Sequence, residues 1–282
     1  MTDDELISLI PLEKENTKLA NEILAETDIA RTQELTHLFN PNQGENFYNF
    51  YDYFVLNDGR ILMTIADVSG KGIAASMYMA VTLIVMRQFA LTGRGPAYIL
   101  KGTNNIISQN NKNMFFATVF VGIYDPESGE FIYSNAGHTP PYILRDKPEL
   151  LTGARNLVLG LYENESYTED RIRLNSGDIV FLYTDGVTES INENRRFFGE
   201  ERLKRTLDDF RPSHEENIVE FVNRSVSAFA KNIKQHDDIT MLSCTIKHRT
   251  VLELSPDKKE FDKIKQVILS SRLPRSLHLS LC

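Results

Sequence analysis

The spacing of apolar residues changes several times along this chain. Over 3–39, Leu6, Ile10, Leu19, Ile23, Leu24 and Ile29 recur at roughly helical intervals among many charges, with Pro11 as an early interruption, which predicts a charged amphipathic helix. Short apolar runs follow. Residues 53–56 and 60–66 flank Asn57-Asp58-Gly59, which accepts the positive backbone angles of a tight turn and so predicts a hairpin. Past Gly70-Lys71-Gly72 the period becomes helical over 73–91, and a second helix is expected over 96–112. Tyr78, Met77, Met79, Val81, Leu83 and Met86 on the first of these helices are read as core packing rather than a ligand-binding stripe.

Strand-like runs return over 115–124 and 131–134 around Pro126-Glu127-Ser128-Gly129, and again over 141–144, 166–174 and 178–183. Helices are expected over 199–210 and 213–234, the second capped by Ser213 with Glu216 three residues on, before a closing strand over 239–247. Antiparallel runs interrupted by paired helices argue for a layered α+β domain rather than a parallel βαβ sheet. After His248 a new strand over 250–254 and a helix opening at Ser255-Pro256 begin a unit too short to bury a core. The reading therefore divides the chain into a helical segment over 1–39, a principal domain over 40–248, and a tail or truncated second domain over 249–282.

Composition narrows the choice of function. The 282 residues carry a formal net charge of -8, with no dense Lys/Arg block to follow a phosphate backbone, so nucleic acid is not expected as a partner. Two cysteines, Cys244 and Cys282, cannot build a disulfide framework or a thiolate metal cluster, which fits a reducing cytoplasm. The N-terminus shows no export signal, and the longest apolar stretch, 73–90, is broken by Ser76, Thr82, Arg87 and Gln88, so no membrane association is expected.

Three acidic sites share one design, in which a strand delivers an aspartate where the backbone turns. They are Asp67 after 61–66, Asp185 after 179–184, and Asp237 at the step into the last strand. One such aspartate caps or turns a chain; three that converge would hold hard divalent cations such as Mg²⁺ or Mn²⁺. Two ions could activate a water for in-line attack on a phosphoryl group without a protein nucleophile. Ser69-Gly70-Lys71-Gly72 lacks the leading glycine of a nucleotide-binding loop, because Ile65 stands there. His236-Asp237 has no companion histidine at telling spacing, His138 is expected to tie down its turn, and Ser69 and Thr184 have no visible histidine to activate them.

The segments Asp67-Val68-Ser69-Gly70-Lys71-Gly72, Asn135 to Pro141, Leu182 to Glu189 and Asp237-Asp238-Ile239-Thr240 occur in an order and spacing that resemble the signatures of a known family. It is the PPM (type 2C) metal-dependent protein serine/threonine phosphatases, in the stage II sporulation protein E-like bacterial branch. The resemblance covers roughly 50–247 and includes Phe198 to Leu203. It implies two stacked antiparallel sheets flanked by helix pairs, with two Mn²⁺ or Mg²⁺ ions held by Asp67, Asp185, Asp237 and the backbone carbonyl of Val68. Glu189 is a weaker ligand candidate. The implied substrate is phosphoserine or phosphothreonine on a bacterial regulatory protein, of the anti-sigma-factor antagonist type.

One position departs from the pattern. Relatives begin their first signature with two glycines and a metal-bridging aspartate, whereas this chain reads Phe47-Tyr48-Asn49-Phe50-Tyr51-Asp52, so the bridging position falls on Asn49. An amide offers a neutral oxygen and no charge. The stretch ahead of Asn49 also looks too short for the edge strand of the family. The alternative reading is therefore a catalytically impaired scaffold that binds a phosphoprotein or sigma-factor regulator. Dimerisation through the N-terminal helix is left open, and the tail, which resembles the start of a histidine-kinase-like ATPase domain without its ATP-binding remainder, is expected to bind no nucleotide.

Overall fold

The computed structural model describes residues 33–40 as backbone, and 49–70, 72–109, 111–211, 217–231, 233 and 237–247 in full. The chain divides into two units, Met1–His248 and Arg249–Cys282, and every described residue belongs to the first. Residues 1–32, which include most of the helix expected over 3–39, together with Lys71, Ser213, Glu216, His236 and the tail, lie outside the described residues.

Eleven strands and four helices are described, in the order β1 (Gln33–Asn40), β2 (Asn49–Val55), β3 (Ile61–Val68), α1 (Ile73–Ala90), α2 (Pro96–Ile107), β4 (Ala117–Tyr124), β5 (Glu130–Ala136) and β6 (Tyr142–Leu144). There follow β7 (Pro148–Leu150), β8 (Arg155–Asn156), β9 (Asp170–Arg173), β10 (Ile179–Tyr183), α3 (Glu200–Asp209), α4 (Ile218–Ala230) and β11 (Ile239–Ile246). One sheet runs β1-β11-β10-β6-β7, and the other β2-β3-β4-β5-β8 with β9 also paired to β5. All ladders are antiparallel except the two-residue β5–β8 contact.

Alternation along the strands makes this a four-layer stack. In β3, Ile61, Met63 and Ile65 join Phe120, Phe131, Tyr133, Val180, Leu182, Leu242 and Cys244 between the sheets. The intervening Leu62, Ala66 and Val68 face the other way and pack with Met86, Ala90, Ile99 and Leu100 of α1 and α2. On the second sheet Ile179, Phe181, Tyr183, Ile239 and Met241 pack in the same manner against Leu203, Leu207, Val219 and Val222 of α3 and α4. By the same parity Asn49 and Asp67, direct partners across β2 and β3, are in phase with the residues that fill the space between the sheets. Asp52 has the opposite parity and grips Arg87 of α1, at 2.5 and 2.7 Å.

Several expectations need correction. Residues 33–40 form an edge strand in full antiparallel register with β11, from Gln33 opposite Ile246 to Asn40 opposite Ile239. Leu35, Leu38 and Phe39 sit at intervals that suit a helix as well as a strand, which is why the helical pattern ran on through them. The edge strand judged missing is therefore present. Helix α4 is capped by Asn217, whose side chain accepts from the Glu220 backbone N–H at 2.9 Å, one turn later than expected. Met77 and Val81 are exposed rather than core, while Met86 is buried and Tyr78, Met79 and Leu83 are partly covered. Among the described residues α1 is long and apolar enough to cross a membrane by length and composition, yet its Arg87 pairs with Asp52 and its Ala75, Met86 and Ala90 pack on the first sheet.

Phe131 is fully buried between the sheets and lies 6.0 Å from the Tyr133 ring and 6.4 Å from that of Phe120. Phe131→Ala should cost about 3–5 kcal/mol in denaturant unfolding, because the surrounding sheets can collapse only partly into the space. Met77→Gln, on the exposed face of α1, should change stability by less than about 0.5 kcal/mol.

Candidate metal centre

The inner faces of the two sheets meet at one end in polar residues. Asp67 is the penultimate residue of β3, Asp185 lies two residues past the end of β10, and Asp237 lies two residues before the start of β11. Each offers a carboxylate oxygen within 4.8 Å of the other two. Strands from different sheets thus bring together residues separated by more than a hundred positions in sequence.

The turn after β10 is shaped for this approach. Val187 N–H donates to the Thr184 carbonyl at 3.1 Å and Glu189 N–H to that of Asp185 at 2.8 Å, a single helical turn, and the Thr188 and Ser190 hydroxyls donate to the Asp185 and Gly186 carbonyls. A side chain at Gly186 would run into the backbone carbonyl of Asp238, so only glycine lets the two loops lie this close. The Asp238 carbonyl also accepts from the Thr184 hydroxyl and from Asn49 Nδ2, both at 3.3 Å. One backbone oxygen therefore joins β2 of the first sheet to the β10 and β11 ends of the second.

Asn49 is 5 % exposed and stands opposite Asp67 in the β2–β3 register. Its amide nitrogen is committed to Asp238, a bond that a carboxylate at that position could not donate. Val68 closes β3 next to Asp67 and is buried against the helices. Glu189 is exposed, but its charge is felt by Asp185.

Crowding shows in the acidities. Burial, followed by repulsion from Asp185, Asp237 and Asp238, pushes the Asp67 carboxyl from 3.8 up to about 8. Asp185 is raised by burial, then by Asp237 and Glu189. Its Oδ1 is buried without a hydrogen-bond partner among the described residues, an arrangement that costs free energy unless a cation takes its place. Three converging carboxylates with an orphaned oxygen are the donor set of a hard divalent ion, and they fit Mg²⁺ or Mn²⁺.

The neighbouring hydroxyls are occupied in structural bonds. Ser69 Oγ accepts from Phe116 N–H at 2.8 Å, and Thr184 Oγ1 accepts from Thr240 N–H at 3.0 Å, so each extends a ladder. His138 is buried with Nδ1 2.9 Å from Thr118 Oγ1, and Asn135 bonds both its N–H and its carbonyl, at 2.7 and 2.9 Å. Burial lowers the imidazole to about 4, so the ring is neutral near pH 7 and holds the turn beside the Asp67 partner Thr118. Asp238 and Gly186 were not singled out from sequence; the signal lay in their adjacency to Asp237 and Asp185.

The stage II sporulation protein E family model matches residues 57–247. The phosphoserine phosphatase RsbU of Bacillus subtilis (strain 168) is 31 % identical over 194 residues, covering 68 % of this chain and 57 % of that protein. Protein IcfG of Synechocystis sp. is 29 % identical over 224 residues, covering 69 % of this chain and 35 % of its own length. The chain thus spans between about a third and just over half of these relatives. Among solved structures, the PP2C phosphatase domain of SpoIIE from Bacillus subtilis superposes with a TM-score of 0.68 at 19 % identity, over 77 % of this chain and 64 % of that one. The SiaA-PP2C domain of Pseudomonas aeruginosa gives 0.68 at 18 %, over 88 % of this chain and all of that domain. Both share the layered fold. With the family model covering most of the described domain, the chain belongs to the stage II sporulation protein E family and carries its PP2C-type phosphatase domain.

Proposed function

We propose that this chain hydrolyses phosphoserine or phosphothreonine on a phosphorylated regulatory protein, of the anti-sigma-factor antagonist type, in a reducing cytoplasm. The observation that carries the reading is the convergence of Asp67, Asp185 and Asp237 from three strand ends, within 4.8 Å, in a member of this family. Divalent cations bound there would supply a polarised water and neutralise charge on the phosphoryl group. The chain's own contribution is placement. Asp67, Asp185, Asp237 and the Val68 carbonyl would hold the ions, while the Asp238 carbonyl and the neutral His138 keep the strand ends in register. The hydroxyls of Ser69 and Thr184 serve ladders, which leaves attack to water rather than to a covalent serine or threonine step.

A second reading, the impaired scaffold, draws on Asn49, whose amide is tied to Asp238 and brings no charge to the Asp67 side of the centre. Calorimetry separates the two: binding of two Mn²⁺ ions favours the enzyme, and no binding at millimolar Mn²⁺ favours the scaffold.

Purified protein with Mn²⁺ should release phosphate from phosphoserine protein and from para-nitrophenyl phosphate, and lose this with chelator. Asp185→Ala should lower turnover by at least about a hundredfold; unchanged turnover would overturn the assignment. Without metal, the raised Asp67 carboxyl means that between its ordinary 3.8 and about 8 the folded chain holds a proton that the unfolded chain has lost. Stability in chelator should therefore fall as pH rises through this window, and Asp67→Asn should flatten the slope in urea unfolding. Asn49→Asp should lower the Mn²⁺ concentration for half-maximal activity by about tenfold or more. In chelator the same variant should melt below the natural chain, since it loses the bond to Asp238 and adds a fourth carboxylate.

A further inference from the structure

Beyond the aspartates a cavity of about 440 Å³ opens, lined by Gly186, Glu189, Ser190, Ile191, Arg195, Phe197 and Asp237. Asp237 ties it to the metal centre. Part of its wall is a tight hairpin between the β10 turn and α3. Ile191 and Phe197 pair across it, Asn192 N–H donates to the Arg196 carbonyl at 3.1 Å, and the Asn192 side chain accepts from the N–H groups of Asn194 and Arg196. The base is pinned by Phe198 N–H on the Ser190 carbonyl at 2.7 Å, and by Arg202, which stacks over Phe198 and Phe229. Such a wall is rigid, although it lies at the surface.

What this wall presents is unusual for an acidic chain. Arg195 sits at φ 55, a conformation that a bulky residue adopts only where the turn imposes it, and it is exposed. Among the described residues its guanidinium makes no hydrogen bond or ion pair. Glu193, the acid on the same tip, is paired with Lys231 at 3.3 Å, so the tip itself offers Arg195 and Arg196, while Glu189 and Asp237 keep the rest of the lining acidic. Phe197, which lines the same cavity, is 62 % exposed, a large aromatic surface left open to solvent.

Resting on the phosphatase reading, we propose that this cavity seats the peptide flanking the phosphorylated residue, with Arg195 selecting acidic side chains and Phe197 packing on the peptide's apolar atoms. With the phosphoryl group at the aspartate end, the flanking residues extend along Ser190 and Ile191 towards the hairpin. The net charge of -8 repels an acidic substrate as a whole, so a local cation is what would let one dock. Arg195 thereby acts on specificity and not on the bond that breaks.

The test uses two phosphoserine peptides, one with two aspartates after the phosphoserine and one with two lysines, together with para-nitrophenyl phosphate, all with Mn²⁺. The natural chain should favour the aspartate peptide in kcat/KM by at least about fivefold. Arg195→Glu should reverse that preference, mainly through KM, and its loss on the aspartate peptide should exceed any loss on the aryl phosphate by a similar factor. Arg195→Lys should keep the natural preference, which guards against a folding defect. Equal losses on both peptides and the aryl phosphate, or an unaltered preference, would overturn the proposal. Should the natural chain hydrolyse none of these, the phosphatase reading fails separately. Fluorescence anisotropy of the labelled peptides, which needs no turnover, then decides the inference: the same charge preference and its reversal sustain it, and indifference to charge ends it.

Discussion

Everything at this site depends on two backbone segments approaching more closely than a side chain would allow. Gly186 lies against the Asp238 carbonyl, and that contact brings the β10 turn within reach of the step into β11. The same carbonyl accepts from Asn49 across the gap between the sheets. The apolar layer between the sheets then sets Asp67 of the first sheet against Asp185 and Asp237 of the second. Convergence of carboxylates is thus a product of sheet packing, and the cost of their repulsion is borne by the apolar filling between the layers.

That dependence gives Asn49 a double meaning. As a ligand position it is poorer than aspartate, since it carries no charge towards a cation. As a structural tie it is better, since it can donate to Asp238 where a carboxylate would meet the carbonyl with like polarity. Its effect falls on the balance between a stable empty centre and a tightly loaded one. A neutral residue opposite Asp67 relieves the acidic cluster when no ion is present, and any cation held there would have one fewer charge to hold it.

Much of the fold was legible because its central strands are short apolar runs bounded by turn residues. Residues 61–66 and 179–183 carry apolar side chains on both faces, as expected of strands covered by helices on one side and a second sheet on the other. The acidic trio could be named from its place at strand ends, and the order of the motifs linked it to a family. Elements set by long-range pairing were harder to see. Residues 33–40 find their strand partner in β11, some two hundred positions away, and local spacing there suits a helix equally well. Strands β7 and β8, of three and two residues, are too short for any period to register. The exposed side of α1 was misjudged because Met77 and Val81 have the chemistry of core residues, and only the packing of Ala75, Met86 and Ala90 shows which way the helix faces.

The arrangement of charge around the centre follows one rule. Among the described side chains no cation is felt by Asp67 or Asp185, and Arg87, which rises from the helix beside β2, is held by Asp52 on the opposite face of that strand. A guanidinium beside Asp67 would neutralise the carboxylates and compete with a metal for them. The positive group that lines the same cavity as Asp237 is Arg195, carried by a hairpin that fixes its backbone at φ 55. Among the described residues Arg195 is not paired with the cavity's acids, so on the proposed reading the acids would remain available to cations and the arginine to a second, anionic group. On the same reading, a molecule that carries both a phosphoryl oxygen and an acidic side chain a few residues along would engage both groups, whereas a bare phosphate would engage one, and discrimination between them would require no contact beyond those two.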